Sequence, residues 1–251
     1  SAGSAPLVFT AGTGMTQAWK ASWFRDGVGP QASTLWRGVE AQHVVATMRL
    51  VDDLKEQEVL EALLESSKPP LPAGASGQHF LLFTPFRYRS PHASRFRAAT
   101  DPGIWYGGLD VPTACAEVAY WRWRFLRDSE GLSGGALHTE HTIFEAGVEG
   151  ACVNLLEKPW VASRMAWTHK NDYGHCQSLA RACREREVTW IRYQSVRAPE
   201  GQCGAVLVPA ALSLAEGFRQ QTWACKTSDA GAFMRHAASG GALDFPASLW
   251  G

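Results

Sequence analysis

The longest apolar runs in this 251-residue chain are only a few residues long, Phe80-Leu81-Leu82-Phe83 and Ala205-Val206-Leu207-Val208 among them. A helix that crosses a bilayer needs about 20 consecutive apolar residues, so a membrane helix is not expected. A core must instead be assembled from short segments that lie far apart in the chain. Hydrophobic residues make up 45% of the sequence and charged residues 19%, which is enough for a real core and excludes disorder as the main state. The length fits one domain rather than several.

Charge narrows the partners. Lys and Arg number 24, and so do Asp and Glu. A dedicated polyanion binder shows a basic excess, so direct nucleic-acid binding is not expected. Residues 1–14 are small, polar and uncharged, with no basic n-region and no apolar h-region. They read as an expression remnant or a disordered leader, with Met15 a candidate native start. The six cysteines, at 115, 152, 176, 183, 203 and 225, form no CxxC pair and no dense framework. They read as reduced thiols packed as small hydrophobes, which suggests a cytoplasmic protein. His169, His175, Cys176 and Cys183 fit no standard zinc spacing, so no metal is expected. Eleven Trp against five Tyr need somewhere to pack.

Along the chain, Val51 to Glu65 has a helical pattern, with six acids against one Lys. Pro69-Pro70 stops it, and a Pro/Gly/Ala/Ser loop follows to Gln78. Phe80 to Phe86 reads as a buried strand. Arg87, Arg89, Arg95 and Arg97 follow, in a stretch without a single acid from Leu81 to Thr100. Ile104 to Tyr106 reads as a short strand ended by Gly107-Gly108. Asp110 or Thr113 can cap a helix, with Pro112 tolerated in its first turn. Ala114, Val118, Trp121 and Phe125 follow at helical spacing and suggest its buried face. His138 to Ala146, Ala151 to Leu155, Val188 to Val196 and Gly204 to Val208 read as strands. Asn171 to Glu187 contains a helix with Leu179, Ala182 and Cys183 inward. The expected fold is α+β, without regular strand–helix alternation. Neither GxGxxG nor GxxxxGK[ST] occurs, so dinucleotide-fold and P-loop readings lack their phosphate loops.

The chemistry-bearing set is Ser94-Arg95-Phe96-Arg97, then Ile104-Trp105-Tyr106-Gly107-Gly108, then Ala116-Glu117-Val118, and far downstream Tyr193-Gln194-Ser195-Val196-Arg197. Arg95 precedes Tyr106 by 11 positions, and Tyr106 precedes Glu117 by 11. Together with Leu35-Trp36-Arg37-Gly38-Val39-Glu40-Ala41-Gln42, this set resembles the RES domain family, named for an Arg, a Glu and a Ser. Each motif alone is weak; the four in order, with these spacings, are fairly specific. The resemblance runs from about Leu35 to Pro209. It makes residues 15–251 a single RES-like domain, with an acidic helix and loop insertion at 51–78 and a C-terminal extension at 211–251. The Trp and Phe residues of that extension let it dock rather than float.

The resemblance implies a fold similar to ADP-ribosyltransferase toxins, with a central split β-sheet and surrounding helices. It implies NAD as substrate, with inorganic phosphate a potential co-substrate. The family's toxins are paired with an Xre-type helix-turn-helix antitoxin that blocks the active site. Cleaving the nicotinamide–ribose bond develops positive charge on the sugar, which a carboxylate can stabilise; Glu117 is the candidate. Arg95 suits phosphate oxygens, with Arg97, Arg87 or Arg89 able to share that load. Tyr106 offers an aromatic face for nicotinamide and a hydroxyl. Ser195 can bond a ribose hydroxyl or the phosphate region, or simply cap a strand end. Arg37 matches the family's opening Arg. Trp105 and Tyr88 read as core aromatics.

The expected reaction is cleavage of NAD by phosphorolysis or hydrolysis, which depletes NAD and arrests growth. The alternative is ADP-ribosylation of a cellular protein through the same site. An interaction module without activity, and a thiol enzyme using Cys115 with a distant His, are weaker readings. Homo-oligomerisation is left open.

Overall fold

The computed structural model describes residues 17–41, 67–88, 90–132 and 134–251. The acidic helix expected over 51–65, the leader at 1–14 and Arg89 lie outside the described residues. All strands among the described residues belong to one mixed nine-stranded sheet: β1 (Val28–Glu40), β2 (Trp105–Gly108), β3 (Leu137–Asn154), β4 (Trp190–Gln194), β5 (Gln202–Val206), β6 (Leu212–Ser213), β7 (Gln220–Ser228), β8 (Gly231–His236) and β9 (Ala242–Pro246).

The sheet is organised by β3. One of its edges pairs antiparallel with the whole length of β1, from Val28↔Val153 to Glu40↔His141. The other edge forks. Its first half pairs with β7, its middle with β6, and its last three residues run parallel to β4. On the β4 side, β5 and β2 lead back to β1 through Trp36↔Gly108, so five strands close a ring. Leu35, Trp105, Phe144, Trp190 and Val206, from those strands, share one buried cluster. On the β7 side, β8 and β9 continue the sheet outward.

Two expected strands, 138–146 and 151–155, are thus one strand of 18 residues. Gly147 and Gly150 lie between the two expected ranges and permit close approach: a Cβ at Gly147 would lie 2.7 Å from Ser213 Oγ, and one at Gly150, where φ is +140°, would lie 2.4 Å from Thr189 Oγ1. The 211–251 extension is likewise part of the sheet, with Trp223, Phe245 and Trp250 buried.

Three helices of eight or more residues are described: α1 (Phe80–Arg87), α2 (Val111–Asp128) and α3 (Gly174–Glu185). The segment expected as a buried strand is therefore α1, capped by His79 and burying only Leu82. A four-residue apolar run does not distinguish strand from helix. Pro85 removes one helical N–H, and the Leu81 carbonyl accepts a hydrogen bond from Trp105 Nε1 at 3.2 Å. Tyr88, read as a core aromatic, is 42% exposed, whereas Trp105 is wholly buried. In α3, Leu179, Ala182 and Cys183 point inward as expected.

The start of α2 follows the expected chemistry. Asp110 accepts from the Thr113 N–H at 2.7 Å, and Pro112 sits in the first turn. Of the face expected for it, Ala114 is buried and Val118 half-buried, but the two rings are not. Trp121 is 46% exposed and Phe125 52%, while Cys115, Ala116, Ala119, Tyr120 and Trp123 are buried. Small residues let the helix lie close against the sheet, while the Trp121 and Phe125 rings stay on its flank. All six cysteines are buried free thiols. Among the described residues no helix is long and apolar enough to cross a membrane.

Gly108 sets the contact between β2 and the first turn of α2. A Cβ there would lie 2.7 Å from the Ala114 backbone nitrogen and 3.0 Å from Thr113 Cβ. Because backbone cannot rotate away, Gly108→Ala is expected to destabilise the fold by about 1–3 kcal/mol. Urea unfolding of the variant measures this; unchanged stability would show that the helix start can shift freely.

Candidate active site

A cavity of about 320 Å³ opens between α2, the near ends of β1 and β2, and the turn after β4. Arg95, Tyr106, Glu117 and Arg37 all line it. These residues come from a loop, two strands and a helix, and only the closed ring of strands brings them together.

Glu117 sits in the middle of α2, one turn beyond Thr113. Its Oε1 accepts from Ser195 Oγ at 2.8 Å and from the Cys203 thiol at 3.7 Å. No partner engages Oε2 among the described residues. Burial raises the Glu117 pKa above the ordinary carboxylate value; Ser195, Arg197, Arg95 and Cys203 act in the opposite direction.

Ser195 does not line the cavity. It is 3% exposed, and its Oγ accepts the N–H groups of Arg197 and Ala198, each at 3.0 Å. With both acceptor positions used, its one proton goes to Glu117. Ser195 thus caps the strand end and positions Glu117, which leaves its hydroxyl no free position for the ribose or phosphate contact expected of it.

Arg95 is 8% exposed. Its Nη1 donates to the carbonyls of Trp167 and His169 at 3.0 and 2.9 Å, and its guanidinium lies 4.8 Å from the Tyr173 ring centre. Arg197, quoted in the sequence motif without a role, also lines the cavity. It donates to the Tyr173 hydroxyl at 3.0 Å and lies 3.5 Å from the centre of the Tyr120 ring. Tyr173 thereby holds two guanidiniums beside one carboxylate.

The Tyr106 hydroxyl is committed to the protein. It accepts from the Phe96 N–H at 3.1 Å and shares a 2.8 Å hydrogen bond with Ser94. Burial pushes its pKa up to about 12. What remains for a ligand is its ring. Arg37 donates to the Tyr106 carbonyl at 2.9 Å, and its buried Nε has no partner among the described residues. Burial brings the Arg37 pKa down to about 10, which leaves it charged at neutral pH.

Arg97 takes a different place from the phosphate contact expected for it. It is absent from the cavity lining, and its guanidinium donates to the carbonyls of Ser90, His92 and Ala99. It shapes the loop that carries Arg95. Arg87 donates to the Pro69 carbonyl at 2.6 Å, on the outer side of α1. Cys115 is buried, and burial pushes its thiol to about 12, which disfavours a nucleophilic thiolate there.

Three lining residues carried no signal in the sequence, Arg122, His141 and Tyr173, and Trp121 was read only as part of the buried face of α2. Arg122 forms an ion pair with Glu40 at the rim. The only local cue was for Trp36 and Glu40, which flank Arg37 in the opening segment.

The RES domain family model matches residues 71–228, more than half of the chain, and the chain belongs to the RES domain family. The match holds Arg95, Tyr106, Glu117 and Ser195; the β1 contribution precedes it. Among solved structures, the chain is similar to the M. tuberculosis MbcT–MbcA toxin–antitoxin complex. Identity is 13%, coverage is 78% of this chain and 88% of that one, and the TM-score is 0.46. No curated protein matches.

A raised native pKa fixes how Glu117 contributes to stability. Folding favours its protonated form, so the penalty is absent below the unfolded pKa of about 4.3, grows up to the native pKa and is complete above it. Glu117→Gln is therefore expected to be more stable than the wild type at neutral pH, with the difference shrinking as the pH falls toward about 4.3. Urea unfolding of both proteins between pH 4 and 8 tests this. A variant less stable than wild type at pH 7 would contradict it.

Proposed function

We propose that this protein cleaves the nicotinamide–ribose bond of NAD and acts as a growth-arresting toxin in the cytoplasm. The observation that carries the reading is a buried carboxylate, Glu117, held by Ser195 in a cavity it shares with Arg95 and Arg197. The arginines suit the pyrophosphate, because guanidinium forks match phosphate oxygens. Glu117 suits the ribose. As the C–N bond breaks, its electron pair passes to the pyridinium nitrogen and positive charge develops on the sugar carbon. A preorganised carboxylate stabilises that charge. The oxygen of phosphate or water then completes the new bond to that carbon, and a water nucleophile releases its proton. The Tyr106 ring forms part of the wall. Family membership is consistent with an ADP-ribosyltransferase-like arrangement around this site.

An Xre-type antitoxin that covers the cleft fits the same reading. Trp121 lies at the cavity and Phe125 one helical turn further on, both exposed on one flank of α2. Such a pair offers an apolar anchor beside the opening.

The test is incubation of the purified protein with NAD, with and without phosphate, in the presence and absence of bacterial lysate. Nicotinamide release with ADP-ribose-1″-phosphate identifies phosphorolysis, free ADP-ribose identifies hydrolysis, and labelled lysate protein identifies ADP-ribosyl transfer. Arg95→Ala and Glu117→Gln are each expected to lower nicotinamide release by roughly 10² or more and to relieve growth arrest on expression. No nicotinamide release from the folded wild type under any of these conditions removes the proposal.

A further inference from the structure

The C-terminal segment, beyond the stretch matched by the family model, reaches back to the candidate site. After β9 the chain makes a short 3-10 turn, Ala247–Leu249. The Ala247 N–H donates to the Ala230 carbonyl, in the turn between β7 and β8, at 2.8 Å, and the Trp250 N–H donates to the Ala247 carbonyl at 3.0 Å. The Trp250 side chain is thereby set into the buried cluster beneath α2, where the residue is only 5% exposed. Its ring packs against Tyr120 and Trp123 of that helix, with centres 5.6 and 5.2 Å away.

Two of these contacts bear on one cavity residue. Trp250 Nε1 donates to the Arg197 backbone carbonyl at 3.3 Å. The Tyr120 ring that Trp250 backs is the one on which the Arg197 guanidinium lies, 3.5 Å from its centre. Arg197 lines the cavity and Trp250 does not. The other supports of Arg197 are Ser195 Oγ at its backbone N–H, and the Lys170 carbonyl and Tyr173 hydroxyl at Nη2. Trp250 supplies what these leave out: a donor for the backbone carbonyl and a wall behind the stacked ring. An indole can do both, because it carries one N–H at the edge of a broad apolar face. Without it a buried carbonyl loses its donor, and the ring beneath the guanidinium loses its backing.

We propose that Trp250 is a positioning residue for Arg197, which makes the C-terminal segment a working part of the site as well as a continuation of the sheet. The proposal rests on the proposed function in one respect: Arg197 is assigned there to the pyrophosphate.

ADP is the probe, since it carries the pyrophosphate without a nicotinamide bond to cleave. Trp250→Phe keeps a ring and loses the N–H, whereas Trp250→Leu loses both. ADP affinity is expected to fall roughly two- to tenfold in Trp250→Phe, as loss of one hydrogen bond predicts, and further in Trp250→Leu. In an Arg197→Ala background, Trp250→Phe is expected to change ADP affinity no further, because the two residues act as one unit. Phe245→Leu, in the same buried cluster but without a hydrogen bond or ring contact to Arg197, is expected to lower stability in urea and leave ADP affinity unchanged. NMR of the Arg197 Nε–H supplies a readout without ligand. The Tyr120 ring current shields this proton, and its resonance is expected to move downfield in the folded Trp250 variants. A resonance unmoved in both variants overturns the proposal, as does an equal loss of ADP affinity in Phe245→Leu. If wild type binds ADP but the resonance stays in place, the positioning role alone fails. If the resonance moves but wild type binds no ADP, the positioning role stands and the assignment of pyrophosphate to Arg197 fails.

Discussion

The Ser195 hydroxyl has three partners and one proton. Two backbone N–H groups in the turn after β4 occupy its acceptor positions, and its proton goes to Glu117 on α2. That hydrogen bond ties the end of a strand to the middle of a helix across 78 residues of sequence. It fixes one carboxylate oxygen in a site where burial alone favours the neutral acid. The same turn positions Arg197, whose backbone nitrogen is one of the two donors to Ser195. Placement of the carboxylate and of one guanidinium therefore depends on a single local motif.

Holding an acid in this way opposes stability. The two guanidiniums and the Ser195 and Cys203 donors favour the ionised form, but burial is the largest influence. Glycines at the contacts make the burial possible. Gly108 lets β2 meet the helix start, and Gly38 lets β1 pass beneath Val118. A helix held further from the sheet would leave Glu117 better hydrated and the cavity wider. Close packing by small residues thus sets the acid's environment as well as the fold.

What could be read in the sequence was chemistry that acts locally or in fixed order. Asp110 and Pro112 announced the start of α2, because capping depends on a few adjacent residues. Arg95, Tyr106, Glu117 and Ser195 were singled out through their order and spacing, which resemble a family pattern; the first three line one cavity and Ser195 lies behind Glu117. Tertiary contacts were not readable. The face of α2 was misassigned because Trp121 and Phe125 outweigh Cys115, Ala116 and Ala119 in hydrophobicity, whereas the sheet demanded small residues. A β3 with two glycines looked like two strands, since only the neighbours Ser213 and Thr189 explain them. His141 gave no signal at all: its environment comes from β1 and α2.

Charge shows the same limit. The acid-free stretch from Leu81 to Thr100 suggested a local phosphate site, yet the arginines in it differ in use. Arg97 gathers loop carbonyls and Arg87 bonds the Pro69 carbonyl, while Arg95 reaches the cavity. Guanidinium groups with several donors are suited to satisfying carbonyls where no helix or strand does so. The cavity's own charge is gathered from the whole fold: Arg37, Arg95, Arg122 and Arg197 against Glu40 and Glu117. With Arg122 matched to Glu40, the remaining three arginines face one acid whose charge is disfavoured by burial. That excess is of the size that two phosphate charges neutralise, and it is invisible to a whole-chain net charge of zero. A small anionic ligand is compatible with this distribution, whereas a nucleic-acid backbone needs the positive charge spread over a surface rather than enclosed beside a carboxylate.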